Sequence, residues 1–140
     1  MADILNFDSK DTLLRLALNG DKDKILEFDP GDVNTRRKFY NMKDSMITKQ
    51  QELDSKIKQL DLKEEDGIQE AFKLEEDFFD YLKDLIDDIF GNGATNMICG
   101  NRKNVFVLAN CIIALCPYFE KFRNDTKNKY TSKLKDAGVL

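Results

Sequence analysis

Residues 90–100, Phe-Gly-Asn-Gly-Ala-Thr-Asn-Met-Ile-Cys-Gly, constrain the fold most, because they break an otherwise helix-prone chain in two. Gly91 and Gly93 stop a helix arriving from the N-terminal side, where positive φ at the C-terminal end favours glycine. Residues 94–99 predict a short helical turn closed by Gly100, and Asn104 carries a side-chain oxygen suited to capping the next helix. Before the break lies a long, acidic, amphipathic region. After it come the most apolar segment, residues 105–122, and a basic tail.

Upstream, the spacing of apolar residues predicts two helices. Phe39, Met42, Met46, Leu53, Ile57 and Leu60 recur every three, four or seven positions, giving one stripe on a helix over 32–60 with Asp32 as its N-cap. Lys49 and Lys56 interrupt that stripe, so it is not a coiled-coil seam. A second stripe, from Ile68, Ala71 and Phe72 to Ile86, Ile89 and Phe90, predicts a helix over 67–90, with Asp66-Gly67 permitting the reversal between the two. Asp87 and Asp88 lie at the unfavourable end of this helix's dipole, and Arg102 and Lys103 are the nearest cations to offset them.

The N-terminal quarter reads differently. Asn19-Gly20 is a hairpin signal, since both residues tolerate the positive φ of a type I′ turn. It predicts antiparallel strands over 13–18 and 24–28, with Ile4–Phe7 as a third; residues 13–18 also fit a short helix. Asp29-Pro30-Gly31-Asp32 ends the unit. Downstream of Asn104, a third main helix over 104–121 contains Pro117, which predicts a kink or an end at Cys116. The expected fold is therefore α+β and predominantly helical, an N-terminal β-hairpin followed by three main helices in one domain over 1–123. A mobile basic tail over 124–140 follows.

Composition argues against catalysis. The 140 residues include no His, the commonest general base, and neither a nucleophile elbow nor a nucleotide-binding glycine loop occurs. Gly91-Asn92-Gly93 follows a helix, whereas phosphate-binding turns follow a strand. Asp21 and Asp23 begin like a calcium loop whose remaining ligands are missing. The three cysteines, Cys99, Cys111 and Cys116, sit in apolar surroundings and read as buried thiols of a reducing compartment, without the paired spacing of a zinc site. No enzyme activity, cofactor or metal is expected. The N-terminus has no basic region leading into an apolar stretch, so no secretory signal is expected. The apolar run 105–119 falls short of the roughly 20 residues of a membrane span.

Charge is unevenly spread. Residues 61–100 carry a net −9 and residues 101–140 a net +5, within an overall −4. The polarity permits head-to-tail association of copies. The tail bases, Lys121, Arg123, Lys127, Lys129, Lys133 and Lys135, could touch phosphates, but the acidic body opposes a polyanion and nucleic acid is not the expected partner. Residues 105–119 leave almost no polar face, so that helix must be buried centrally or shared with another chain. Phe106, Ile112 and Ile113 are its candidate partner-binding residues. Glu75, Glu76, Asp77, Asp80 and Asp84 form either a solvated face or a contact surface for a basic protein.

The order of features, Asn-Gly turn, Phe28-Asp29-Pro30-Gly31-Asp32, Phe90-Gly91-Asn92-Gly93-Ala94-Thr95, Pro117-Tyr118 and Lys129-Tyr130, resembles the small tail-assembly chaperones of long-tailed phages infecting Gram-positive bacteria. The chain departs from that pattern in its helix-like 13–18 and in Asn92, where the pattern has an acid. The resemblance implies a non-enzymatic chaperone of the infected host's cytoplasm that coats the apolar, helical tape-measure protein, recruits tail-tube subunits and self-associates. It assigns no catalytic residue. The alternative is an acidic, phage-encoded inhibitor of a host defence nuclease, acting as a DNA mimic on a basic host protein.

Overall fold

The computed structural model describes residues 1–139, apart from the side chains of Asn124, Thr126 and Lys127. Asn19 (φ 54°) and Gly20 (φ 79°) both occupy the left-handed region, and the Asp21 N–H donates to the Leu18 carbonyl at 3.0 Å across them. That is the turn expected of Asn-Gly, but the strands meet one turn later. The Lys24 N–H donates to the Asp21 carbonyl at 3.1 Å, and the Asp21 carboxylate accepts from the Asp23 N–H at 2.9 Å. Strand β1 (Leu14–Ala17) then pairs antiparallel with β2 (Ile25–Phe28), Leu14 opposite Phe28 and Ala17 opposite Ile25. Of the two readings of 13–18, the strand is the observed one. The sheet has two strands, so Ile4–Phe7 is not a third. A turn over 9–12, begun by the Asp8 carboxylate accepting from the Lys10 N–H, redirects the chain ahead of β1 and leaves Ile4, Leu5 and Phe7 exposed.

Asp32 caps helix α1 (Val33–Lys58) by accepting from the Asn34 N–H at 2.9 Å. Helix α2 (Glu65–Phe90) returns antiparallel against it. The reversal is made at 59–64, earlier than Asp66-Gly67, which already lies within the first turn of α2. Gly67 is needed there for a different reason: a Cβ at this position would run into the Asp61 carbonyl. At the far end, α2 is not offset by Arg102 and Lys103. The Asp88 carboxylate instead meets Lys38 of α1 at 3.2 Å, and Asp87 accepts from the Thr95 N–H at 2.9 Å, capping helix α3 (Ala94–Cys99).

Asn104 caps helix α4 (Val105–Asp136), accepting from the N–H groups of Phe106 and Val107. The helix neither ends at Cys116 nor stops near Lys121. Pro117 withholds one N–H, the one owed to the Ile113 carbonyl, while the remaining ladder carries the helix on. The stretch expected to be a tail is helical as far as Asp136. It is tied back by Asp11, which accepts from Lys133 at 2.8 Å and Lys129 at 3.3 Å, two cations one turn apart on α4. These hydrogen bonds hold the Asp11 carboxyl below its ordinary pKa of 3.8.

The core gathers where the hairpin, the first half of α1, the second half of α2 and α4 meet. Phe119 stacks on Phe39 (centroids 4.0 Å apart) and on Phe28 (5.3 Å), and Phe28 meets the edge of Phe90. Leu26, Met42, Leu82, Ile86 and Leu108 are buried around these rings. The far halves of α1 and α2 extend beyond this core, where Ile57 and, in the turn, Leu60 are half-buried and Phe72 is exposed. Removing the central ring in Phe119→Ala should cost about 3–5 kcal/mol, whereas Phe106→Ala, on the outside of the same helix, should change stability by under about 0.5 kcal/mol. Urea unfolding of the two variants measures the contrast.

Candidate partner-binding surface

Leu108, Ile112, Leu115 and Phe119 follow one another at helical spacing and fill the core side of α4. No charged residue occurs from Asn104 to Phe119, so the opposite side is uncharged and mostly apolar, with the exposed Asn110 between Phe106 and Ile113 as its polar member. Phe106 is 82% exposed and Ile113 65% exposed, and Val107, Ala114, Pro117 and Tyr118 extend the same outer surface. The three residues singled out on this helix therefore separate. Phe106 and Ile113 face outward, while Ile112 is 2% exposed and belongs to the chain's own core, because adjacent helical residues point about 100° apart.

The outer surface of α4 runs into a groove of about 700 Å3. Phe106 of α4, Phe72 of α2 and Leu53 of α1 give it apolar walls, and Glu75, Glu76 and Lys103 give it a charged rim. Phe72 is 59% exposed because α4 begins too late to cover the first turns of α2. The apolar stripe of α2 included Phe72 without distinguishing it from the core positions; the signal for its exposure is the place of Asn104, which sets where α4 starts.

The acidic residues of α2 do not act as one face. Lys103 donates to Asp80 at 3.2 Å and lies 3.6 Å from Glu76. The hydrogen bond to Asp80, with the charges of Asp80 and Glu76, holds the Lys103 ammonium above its ordinary pKa. Glu75 and Glu76 both line the groove, and Asp77 and Asp84 are exposed on the arc that also carries Asp80.

Among the described residues no three His, Cys, Asp or Glu side chains gather where a metal ion would sit. Burial pushes the thiols of Cys99 and Cys111 above their ordinary pKa, which keeps them protonated and poorly nucleophilic. Helix α4 is long and apolar enough to cross a membrane by length and composition, so the shorter run expected above understated it. The core helix of a soluble protein passes the same test when mostly buried, and 22% of the apolar stretch of α4 is buried here.

Residues 22–136 match a protein family described as a family of unknown function, DUF6673. No curated protein and no solved structure matches the chain.

The raised thiol pKa values carry a pH dependence. Near pH 7 the reactive thiolates of Cys99 and Cys111 are scarce, and alkylation should be slower than for a free cysteine. It should accelerate as the pH passes above the ordinary value of 9.0. Peptide mass spectrometry after timed treatment with iodoacetamide checks both statements.

Proposed function

The chain belongs to that family of unknown function, and we propose that it is a non-enzymatic assembly chaperone that takes an apolar helical segment of a tape-measure protein onto α4. One observation carries this reading: a charge-free, exposed helix face, with Phe106 and Ile113 at its centre, opens directly into the groove beside Phe72. Contiguous exposed apolar surface of this kind marks interaction sites. A groove walled by helices suits an amphipathic helix that lays its apolar side along it. The charges elsewhere on α1 and α2 would keep such a complex in solution, as a chaperone of an apolar client requires. Recruitment of tail-tube subunits, self-association and a place in the host cytoplasm belong to the same reading.

The DNA-mimic inhibitor is less well supported. Lys103 offsets Glu76 and Asp80, and Glu75 turns to the groove, so the acidic face presents fewer free charges than the sequence suggests.

Co-expression with apolar helical segments of a phage tape-measure protein tests the proposal. The segments should become soluble and co-purify with the chain, and the complex should withstand high salt because apolar burial holds it. The double substitution Phe72→Ser with Phe106→Ser should abolish capture and leave the melting temperature within a few degrees of wild type. Segments that stay insoluble and never co-purify would overturn the proposal. Salt-sensitive binding to a basic nuclease, lost on neutralising Asp77 and Asp84, would favour the inhibitor instead.

A further inference from the structure

At the hairpin end of the bundle, three guanidinium groups share one open pocket of about 520 Å3. Arg36 and Arg37 come from the first two turns of α1 and Arg123 from the second half of α4, and Tyr40, Phe122 and Tyr130 supply its aromatic walls. The Arg36 guanidinium lies 5.1 Å from the centre of the Phe122 ring and donates to the Pro30 carbonyl at 3.2 Å. Arg37 reaches the Asn34 side-chain oxygen at 3.4 Å. Among the described residues, the ion pairs engage Arg15, Lys38, Lys49, Lys103, Lys129 and Lys133, and none of the three pocket arginines has a carboxylate at ion-pair distance. Three like charges collected without a counter-charge repel one another, and an arriving anion relieves that repulsion. The planar arginine fork suits carboxylates in particular, through paired hydrogen bonds.

The same chain displays the complementary surface. Asp77 and Asp84 are exposed on α2, lie on one side of it two turns (about 10 Å) apart, and have no ion-pair partner among the described residues. They sit in the segment 61–100, which carries the net −9. Within one chain these carboxylates stay out of the pocket: the acid of α2 that reaches the first turns of α1 is Asp88, and it is held by Lys38.

We propose that the Arg36, Arg37 and Arg123 pocket docks the acidic side of α2 from a second copy, with Asp77 and Asp84 entering as its carboxylates. The contact is head-to-tail. Each copy in it retains one unused pocket or one unused helix, so the assembly grows into a row or closes as a ring. A nucleic acid would meet the same arginines, but it needs many cations along its backbone and would be repelled by the acidic helix. The site is separate from the apolar surface of α4 and stands whether or not that surface carries a tape-measure segment.

Light scattering after size-exclusion chromatography tests the contact. At about 50 mM salt the wild type should exceed the mass of one chain, and at about 500 mM it should fall toward that mass, because exposed ion pairs are screened. A pocket variant, Arg37→Gln with Arg123→Gln, and a helix variant, Asp77→Asn with Asp84→Asn, change exposed positions and so keep the fold, which circular dichroism verifies. Each alone should run as a single chain at low salt. Mixed in equal amounts they should form pairs and nothing larger, because one intact pocket then meets one intact helix and no further contact remains. Both variants should still capture a tape-measure segment if the apolar surface does so, which separates failure here from failure there. A wild type that stays a single chain at low salt overturns the proposal, as does assembly by either variant alone or a mixture without pairs. Binding of a fluorescent single-stranded oligonucleotide that the pocket variant loses and the helix variant keeps would assign the arginines to a polyanion and overturn it too.

Discussion

The stack of Phe119 between Phe39 and Phe28 is the contact on which the rest of the structure depends. Those rings belong to α4, α1 and β2, so the stack joins the last helix to two consecutive elements far from it in sequence. Fixing Phe119 fixes the rotation of α4, since a helix that turns one row of side chains inward must turn the opposite row outward. Leu108, Ile112 and Leu115 follow Phe119 into the core, and Phe106 and Ile113 are carried to the surface. The uncovered side carries no charge and is apolar apart from Asn110.

Much of the architecture was legible because it rests on local chemistry. The stripes of α1 and α2 recur at helical spacing, Asp32 and Asn104 are short side chains that reach the free N–H groups of a first turn, and Asn19-Gly20 tolerates the backbone that its turn requires. Helix α4 was legible as a helix but not in its orientation. With apolar residues nearly all round, Asn110 is the single local hint that the Ile113 side faces outward, and the choice is fixed by ring contacts with elements about 80 to 90 residues away. Its length was misread for a related reason. Pro117 and the polar composition after it are local signals for an ending, whereas the ties from Asp11 to Lys129 and Lys133 come from the other end of the chain.

The charged residues show the same limit. Lys103 lies near Asp87 and Asp88 in sequence order, yet it sits against Asp80 and Glu76 because the α3 turn brings it back alongside the middle of α2. Arg36 and Arg37 lie in one short basic run and Arg123 more than 80 residues away, and their convergence appears when α1 and α4 are packed together. The result is a molecule with two chemically distinct ends: an apolar surface opening into a groove at one, and an arginine pocket with aromatic walls at the other. The first suits contacts that survive salt, the second contacts that salt weakens.

The division of α4 into a core side and a docking side is tested most directly by two neighbouring substitutions, Ile112→Asp and Ile113→Asp, compared in urea unfolding and in capture of an apolar helical segment. Ile113→Asp should shift unfolding by no more than about 0.5 kcal/mol and abolish capture, while Ile112→Asp should cost roughly 3 kcal/mol or more by placing a charge in the core. Equal losses of stability in the two variants, or capture undiminished in Ile113→Asp, would contradict that division.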